Sequence, residues 1–277
     1  MNANTIIRQN ITKDILDILK KDCTIGLSRG TALSYRMTKK RLSYNLNLNL
    51  LSPSFDVVVE MVKPYLEELR EKGVIYGYST ESAFRLDRMG TIRLFTLDNS
   101  SSELECLMLI IVDQDWDSAY QDIISIGEEY GTITCATYNA ILAKNISYLF
   151  GTKWDILLNI KALVDIYLIL ENTTVDELDF GKIRKYLQDK EINFAGQSTL
   201  EKQFLHDRQL YVDVSRCIAE GERFQFSEKP LNINPTRVIQ TVFDFLYLLK
   251  TSENATSSLD SLDTLLSGRK MLYEIWN

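Results

Sequence analysis

Two short segments of the chain contain the residue types that binding or transfer of phosphates requires. The first is Ser28-Arg29-Gly30-Thr31, which follows a predicted short strand over 22–27 and precedes a short helical pattern over 32–38. The second is 41–48, in which apolar and polar residues alternate. Glycine lets a backbone approach a ligand closely, and the N–H groups at a helix start bind phosphate oxygens. The two segments together predict a phosphate site between a turn and a strand.

Residues 42–50 predict a strand, in which residues i and i+2 point to the same side. Asn45 and Asn47 would then project together toward the turn. Two carboxylates at such positions can jointly hold Mg²⁺ ions that bridge nucleotide phosphates, whereas asparagine offers a neutral oxygen and no charge. We therefore expect the affinity for Mg²⁺ to be much weakened.

A structural alternative is that Asn45, Asn47 and Asn49 form the polar face of an edge strand, with the leucines between them against the core. Asparagine is a poor strand former, so three asparagines in alternation are unusual unless they serve a site. The interpretation as a site is therefore the stronger of the two.

A serine nucleophile is a further interpretation of the turn. Gly26-Leu27-Ser28-Arg29-Gly30 matches the G-x-S-x-G nucleophile elbow, and Asp165 and His206 follow in a possible chain order for a catalytic triad. However, fewer than thirty residues precede the elbow, so the sheet that normally carries it has no sequence from which to form. We therefore rank a serine hydrolase well below a phosphate site.

Charge and composition exclude several classes of protein. The net charge of −7 argues against a protein that coats nucleic acid, because that mode needs an excess of Lys and Arg. A local basic segment remains, and it is either a phosphate contact or a solvated helix face. Its five cations within 29–41 are Arg29, Arg36, Lys39, Lys40 and Arg41.

The chain also lacks the signals of a membrane or secreted protein. Its apolar runs fall short of the roughly 18 residues that cross a bilayer, and residues 1–21 do not form a signal peptide. We therefore expect a cytoplasmic protein that does not bind a membrane. The four cysteines are scattered without a C-x-x-C pair, which predicts reduced thiols rather than disulfides or structural zinc.

The apolar periodicity predicts an α+β fold in two parts, since strand patterns are confined to the first half and helical patterns follow Thr137. The parts are an N-terminal domain with a small mixed sheet, residues 1–136, and a C-terminal helical bundle, residues 137–277. Ser52 and Pro53 predict a helix start, with Val57 among the inward residues. Predicted strands are 22–27, 42–50, 74–78 with 83–86, 91–97, 104–112 and 132–135, and predicted bundle helices are near 137–150, 153–171, 174–190, 197–220, 235–250 and 258–275.

The combined pattern resembles the AbiEii-type toxins of bacterial abortive-infection and type IV toxin–antitoxin systems, within the nucleotidyltransferase superfamily. In that family the turn reads G-G-T-x-L and the strand reads R-[FL]-S-x-D-[LI]-D-[LIF]. The matching residues here are Gly30, Thr31 and Leu33 in the turn, and Arg41, Leu42, Ser43, Leu46 and Leu48 in the strand. In the helical half, 141–144 resembles the motif L-A-x-K, and 165–168 resembles the end of R-D-x-x-D-L-Y.

The resemblance implies a nucleotidyltransferase-like N-terminal domain and a helical bundle that closes one side of a nucleotide cleft. It also implies that NTP and Mg²⁺ are used to transfer a nucleotide to a target, with the tRNA acceptor end favoured, and that a cognate antitoxin protein restrains the activity. The positions it assigns to nucleotide binding are Ser28, Gly30, Thr31, Lys40, Arg41, Ser43, Lys144 and Asp165, and it places Asn45 and Asn47 at the positions of the catalytic aspartates.

Departures from the family pattern fall on functional positions. They are Arg29 for a glycine, Asn45 and Asn47 for aspartates, Lys161 for an arginine and Ala162 for an acid. The third metal-binding acid of the family belongs in the middle of a later strand, but 107–112 is apolar, with Glu105 and Asp113 at its ends.

Two explanations fit the departures: a naturally degenerate member, or an enzyme whose aspartates were replaced deliberately. The loss of glycine at position 29 and of the third acid favours the natural explanation, since a deliberate knock-out needs only one change. We expect catalysis to be lost or very slow, with binding of triphosphate or RNA retained. The alternative is a non-catalytic module that binds nucleotide or a partner protein.

Overall fold

The computed structural model of the protein describes eleven stretches of the chain. They are residues 3–37, 43–52, 54–82, 90–97, 103–113, 120–125, 131–151, 155–173, 177–192, 196–221 and 231–251. The chain divides into two compact units, Met1–Thr137 and Tyr138–Asn277, called unit 1 and unit 2 below. The helix predicted over 258–275 lies outside the described residues. Within those residues, every helix is too short or too polar to span a bilayer.

Unit 1 contains a mixed sheet, as predicted, but the described residues give it seven strands, so it is not small. The strands are β1 (Thr24–Leu27), β2 (Leu46–Ser52), β3 (Gly77–Ser82), β4 (Gly90–Leu97), β5 (Leu104–Asp113), β6 (Gln121–Ser125) and β7 (Thr132–Ala136). Their order is β3-β4-β5-β2-β1-β7-β6. Strand β2 pairs parallel with β5 and antiparallel with β1, and β1 pairs parallel with β7.

Strand β2 therefore lies in the interior of the sheet, and the edge-strand alternative is wrong. Its leucines Leu46, Leu48 and Leu50 are buried, and Asn47 and Asn49, which alternate with them, are buried as well. Because successive side chains of a strand point to opposite faces, the asparagines share the face opposite the leucines. We call this the polar face of β2.

The strand begins at Leu46 rather than at the predicted residue 42. The side chain of Asn45 explains part of this difference, because its Oδ1 accepts a hydrogen bond from Leu109 N at 3.2 Å. An N–H of β5 that ladder pairing could use is thus bonded to a side chain. Residues 41 and 42 lie outside the described residues.

The helices of unit 1 are α1 (Ala3–Leu19), α2 (Arg29–Arg36) and α3 (Phe55–Glu71). Helix α2 starts at Arg29, three residues before the predicted Ala32, so the segment predicted as a loop turn forms the first helical turn of α2. Ser54, not Ser52, is the N-cap of α3, because β2 continues through Ser52. The prediction that Val57 points inward is also wrong, since the buried stripe of α3 runs through Phe55, Val58, Val62, Leu66 and Leu69.

The antiparallel pairing of the predicted meander is confirmed, because β4 pairs antiparallel with both β3 and β5. Its first strand was misplaced, since β3 spans Gly77–Ser82 rather than 74–78, and the predicted segment 83–86 lies outside the described residues. Gly90 lets this meander approach α3, since a Cβ at residue 90 would lie 2.4 Å from the ring of Phe55. Strand β6 was not predicted. It lies at an edge of the sheet, and its exposed Asp122 and Ile123 break the alternation that identifies strands.

The described part of unit 2 is helical. Its helices are α4 (Tyr138–Phe150), α5 (Ile156–Asn172), α6 (Phe180–Asp189), α7 (Gln197–His206), α8 (Arg208–Ala219) and α9 (Pro235–Thr251). The single helix predicted over 197–220 is two helices, because Asp207 leaves the helical conformation. Its carboxylate instead caps α8 by accepting hydrogen bonds from Gln209 N and Leu210 N. Helix α5 contacts α4, α8 and α9, which explains why it is buried on nearly all sides.

Candidate functional site

The turn between β1 and α2 lies directly against β2. Ser28 N donates a hydrogen bond to Asn47 O at 3.0 Å, which extends the pairing of β1 with β2 by one residue. The chain then enters α2 at Arg29, with Gly30 half-buried in the first helical turn. The two segments that the sequence predicted to share a phosphate site are thus neighbours, and their polar groups contact each other.

Thr31 is the centre of these contacts. Its hydroxyl donates to Asn45 O at 2.8 Å, and it accepts from Asn47 N at 2.8 Å and from Asn47 Nδ2 at 3.1 Å. A threonine hydroxyl has one proton and two lone pairs, so these three bonds use its whole capacity. Thr31 is also buried. Its hydroxyl is therefore committed to β2 rather than available to a ligand.

Ser43 and Asn45 complete the same network. Ser43 Oγ donates to Asn45 O at 2.6 Å and lies 3.3 Å from Thr31 Oγ1. The side chain of Asn45 is turned to β5, where its Oδ1 accepts from Leu109 N. Four of the predicted site residues thus lie together: Thr31, Ser43, Asn45 and Asn47. Their hydrogen bonds connect the turn to β2, and Asn45 to β5.

Arg29 makes the ion pair of this site. Its Nη2 lies 2.9 Å from Asp113 Oδ2, and the two side chains are 13% and 2% exposed. Asp113 ends β5 and stands opposite Asn49 in the register of β2 and β5, so it lies on the polar face. Sequence reasoning named both residues but did not pair them, because the pairing depends on the strand register.

The backbone of Arg29 lies in the left-handed region, at φ +50°. A residue with a Cβ in this region is disfavoured by about 1–2 kcal/mol relative to a right-handed conformation. Glycine avoids this penalty, which explains why a turn of this shape favours glycine at position 29. The substitution of arginine here therefore carries a conformational penalty that the ion pair offsets.

Ser28 does not have the geometry of a nucleophile elbow. It is 4% exposed, it is the N-cap of α2 without a capping side-chain bond, and its Oγ finds no hydrogen-bond partner in the described part of the chain. A nucleophile elbow instead presents its serine at an exposed tip. His206 is exposed on α7 of unit 2. The described geometry thus gives no support to a serine hydrolase.

The side chains of this site do not fit a divalent metal. Among the described residues, no three His, Cys, Asp or Glu side chains are grouped closely enough to hold one. Asp113, a carboxylate on the polar face, is paired with Arg29, and the Asn47 amide directs its NH₂ group at Thr31. Mg²⁺ in proteins is bound through oxygen ligands, usually including carboxylates. Glu105, the other acid considered, is exposed near the opposite end of β5.

Two further predicted site residues, Lys144 and Asp165, belong to unit 2, where they are buried on α4 and α5. Lys40 and Arg41 lie outside the described residues. Sequence reasoning missed Asn159, a 1% exposed residue of α5, although a single amide within the apolar segment 156–164 was a visible signal.

The fold of this chain, with the turn and α2 at the centre of its mixed sheet, is similar to folds that have been solved before. Two solved structures establish this likeness. JHP933 from Helicobacter pylori has a TM-score of 0.55 at 11% identity over 99% of both chains. A candidate nucleotidyltransferase from H. pylori has a TM-score of 0.57 at 11% identity, over 96% of this chain and 99% of that chain.

At 11% identity the likeness shows the fold alone. No family model and no curated protein sequence matches this chain. The comparisons thus support the fold, while the AbiEii-type toxin family is not shown. Function must therefore be argued from the side chains of the site.

Proposed function

We propose that this protein is a degenerate nucleotidyltransferase, derived from an AbiEii-type toxin, which no longer transfers nucleotides with Mg²⁺ but keeps the turn that binds phosphate. The observation that carries the proposal is the commitment of Asn47, at the position of a family aspartate, to a hydrogen bond with Thr31. This hydrogen bond makes the Asn47 amide part of the network around Thr31, and a neutral amide brings no negative charge to a metal ion.

The arginine at position 29 supports natural degeneration over a deliberate knock-out. Replacing the aspartates alone would abolish metal binding and would leave a glycine in the left-handed position. Here Arg29 accepts that conformation and pairs with Asp113, so the turn and the end of β5 match each other. An arginine that pairs with a residue distant in sequence is the result expected of long divergence.

Ser28 and the start of α2 support retained binding of a phosphorylated ligand. The first intrahelical bond of α2 runs from Ala32 N to Ser28 O, so the preceding N–H groups are those that commonly bind anions. The buried Ser28 Oγ, without a partner among the described residues, adds a hydroxyl at the same place. The Thr31 and Ser43 hydroxyls, which were predicted to bind nucleotide, already donate to Asn45 O, so neither proton is available to a phosphate.

Nucleotide transfer is tested with radiolabelled NTPs, Mg²⁺ and total tRNA. The wild-type chain is compared with the variant Arg29→Gly/Asn45→Asp/Asn47→Asp, which restores the family residues at three positions. We expect no label on tRNA with the wild-type chain. Transfer by the wild-type chain would overturn the proposal, whereas transfer by the restored variant alone would support it directly.

Binding is tested separately by calorimetric titration of the wild-type chain with NTP. A saturable heat that is lost in Ser28→Val supports retained phosphate binding at the turn. The absence of both transfer and binding would favour the alternative function, a module that binds a partner protein such as an antitoxin. Ser34→Ala is the matched control, because Ser34 lies on the same helix but its Oγ donates to Thr31 O.

A further inference from the structure

The ion pair on the polar face of β2 combines two unfavourable features that persist together. Arg29 holds a left-handed backbone conformation, and Asp113 is 1% exposed. Removing a carboxylate from water is strongly unfavourable unless a cation compensates its charge. A conformation that is disfavoured by itself persists only where its surroundings determine it, and such outliers gather at functional sites. We therefore attribute the backbone conformation of Arg29 to its ion pair with Asp113.

The ion pair between Arg29 and Asp113 lies on the polar face of β2. Asn49 stands opposite Asp113 on β5 and opposite Gly26 on β1, and Asn47 stands opposite Ile111. Residues in register on neighbouring strands project to the same face. Asp113 thus shares a face with the two buried asparagines, and Arg29 brings its positive charge to this face from the start of α2.

We propose that the guanidinium of Arg29 is a tethered cation, fixed to the chain, that takes the place of a divalent metal ion on the polar face of β2. This inference rests on the proposed loss of metal-dependent transfer and adds the means by which the fold tolerates it. The guanidinium balances Asp113 permanently, so unit 1 neither requires nor responds to divalent cations. A phosphorylated ligand at the start of α2 would meet this organic cation instead of bound Mg²⁺.

The test is the thermal unfolding of the full chain in EDTA and in MnCl₂. We expect the Tm of the wild-type chain to be the same in both. Arg29→Gly relieves the backbone but removes the guanidinium that pairs with the buried Asp113, so its Tm should fall by about 6 °C in EDTA. Mn²⁺ should restore part of that loss, because the Asp113 carboxylate can bind a metal ion once the Arg29 guanidinium is gone. Arg29→Lys, which keeps a cation, should lose less than Arg29→Gly and should not respond to Mn²⁺.

Asp113→Asn and Arg29→Gly/Asp113→Asn complete a double-mutant cycle. We expect the double variant to lose less Tm than the sum of the single variants and to ignore Mn²⁺. Additive losses, or a wild-type Tm that rises with Mn²⁺ as much as that of Arg29→Gly, would overturn the proposal. If Arg29→Gly does not fold, a folded double variant supports the proposal, and an unfolded one refutes it because Arg29 is then needed for another reason.

These outcomes are separable from those of the proposed function. Transfer of label by the wild-type chain refutes the degenerate enzyme but leaves the Tm cycle to report on the ion pair. Conversely, an inactive wild-type chain together with additive Tm losses would support the proposed function and refute the tethered cation.

Discussion

Two buried polar regions of this protein follow opposite rules. Around Thr31 in unit 1, buried polar groups are joined by hydrogen bonds, and the Thr31 hydroxyl connects α2 to both Asn45 and Asn47. On α5 in unit 2, both polar atoms of Asn159 are buried and have no partner within the described residues. The same residue type, asparagine, is thus integrated in one region and isolated in the other.

The difference concerns what each region contributes to folding. A satisfied hydrogen bond contributes about 1 kcal/mol net, whereas a buried polar atom without a partner costs about 1–3 kcal/mol. The network around Thr31 should therefore stabilise unit 1 and fix the register of its turn. The amide of Asn159 should destabilise unit 2, and nothing in the structure explains why it is kept.

The largest expected effect is that of Thr31→Val. The substitution keeps the shape but removes the hydroxyl, which leaves Asn45 O without one donor and Asn47 N without its acceptor. We expect a loss of about 3 kcal/mol in the free energy of unfolding of unit 1, measured by urea titration. Thr31→Ser keeps the hydroxyl and should lose less than half as much. Equal losses would show that the methyl group, rather than the network, stabilises this region.

A second comparison uses aspartate at the two asparagine positions. Asn45 Oδ1 already accepts from Leu109 N, so the carboxylate of Asn45→Asp can make the same bond and should change stability by less than about 0.5 kcal/mol. The single proton of Thr31 is used on Asn45 O, so the carboxylate of Asn47→Asp finds no donor there. We expect a loss of about 2 kcal/mol at pH 7.

The pH dependence of Asn47→Asp identifies the cause. A carboxylate that is disfavoured in the folded state becomes tolerable once it is protonated, because a carboxylic acid can donate to Thr31. The penalty relative to Asn45→Asp should thus shrink as the pH is lowered from 7 to 4, in parallel urea titrations. A constant difference between the two variants would mean that charge is not responsible.

Periodicity could predict the elements that form from local pattern alone. Strands β4, β5 and β7 agree with the predicted ranges to within a residue or two, and so do α4 and α9. Helix α2 was placed too late because the left-handed conformation of Arg29 has no sequence signal in a non-glycine residue. The break at Asp207 was readable, since aspartate before a helical pattern is a strong N-cap.

The candidate site was predictable in its members but not in its bonding. The resemblance brought Thr31, Ser43, Asn45 and Asn47 into one region, and they do lie together. The pairing of Arg29 with Asp113 depends on the parallel register of β2 and β5, which is set by contacts between segments far apart in sequence. Local pattern cannot determine such a register.

The same substitution in the two regions should have effects of opposite sign. Asn47→Ala removes a donor to Thr31 and should destabilise unit 1 by about 1 kcal/mol. Asn159→Ala removes no bond and replaces asparagine by the best helix former, so unit 2 should gain about 0.5–1 kcal/mol. Urea titrations of both variants check the signs. A clear loss of stability in Asn159→Ala would mean that the amide of Asn159 stabilises unit 2, contrary to this expectation.

Thiol labelling reports on the opening of each unit separately. Cys135 on β7 and Cys217 on α8 are fully buried, whereas Cys106 is exposed. Burial raises the pKa of Cys135 to about 11 against a weaker lowering by Arg36, so at pH 8 this group is a thiol and reacts only after unit 1 opens. Thr31→Val should thus speed labelling of Cys135 by about 100-fold and leave Cys217 unchanged. If mass spectrometry shows both thiols accelerating equally, the chain opens as one cooperative body, and the two regions cannot differ in local stability.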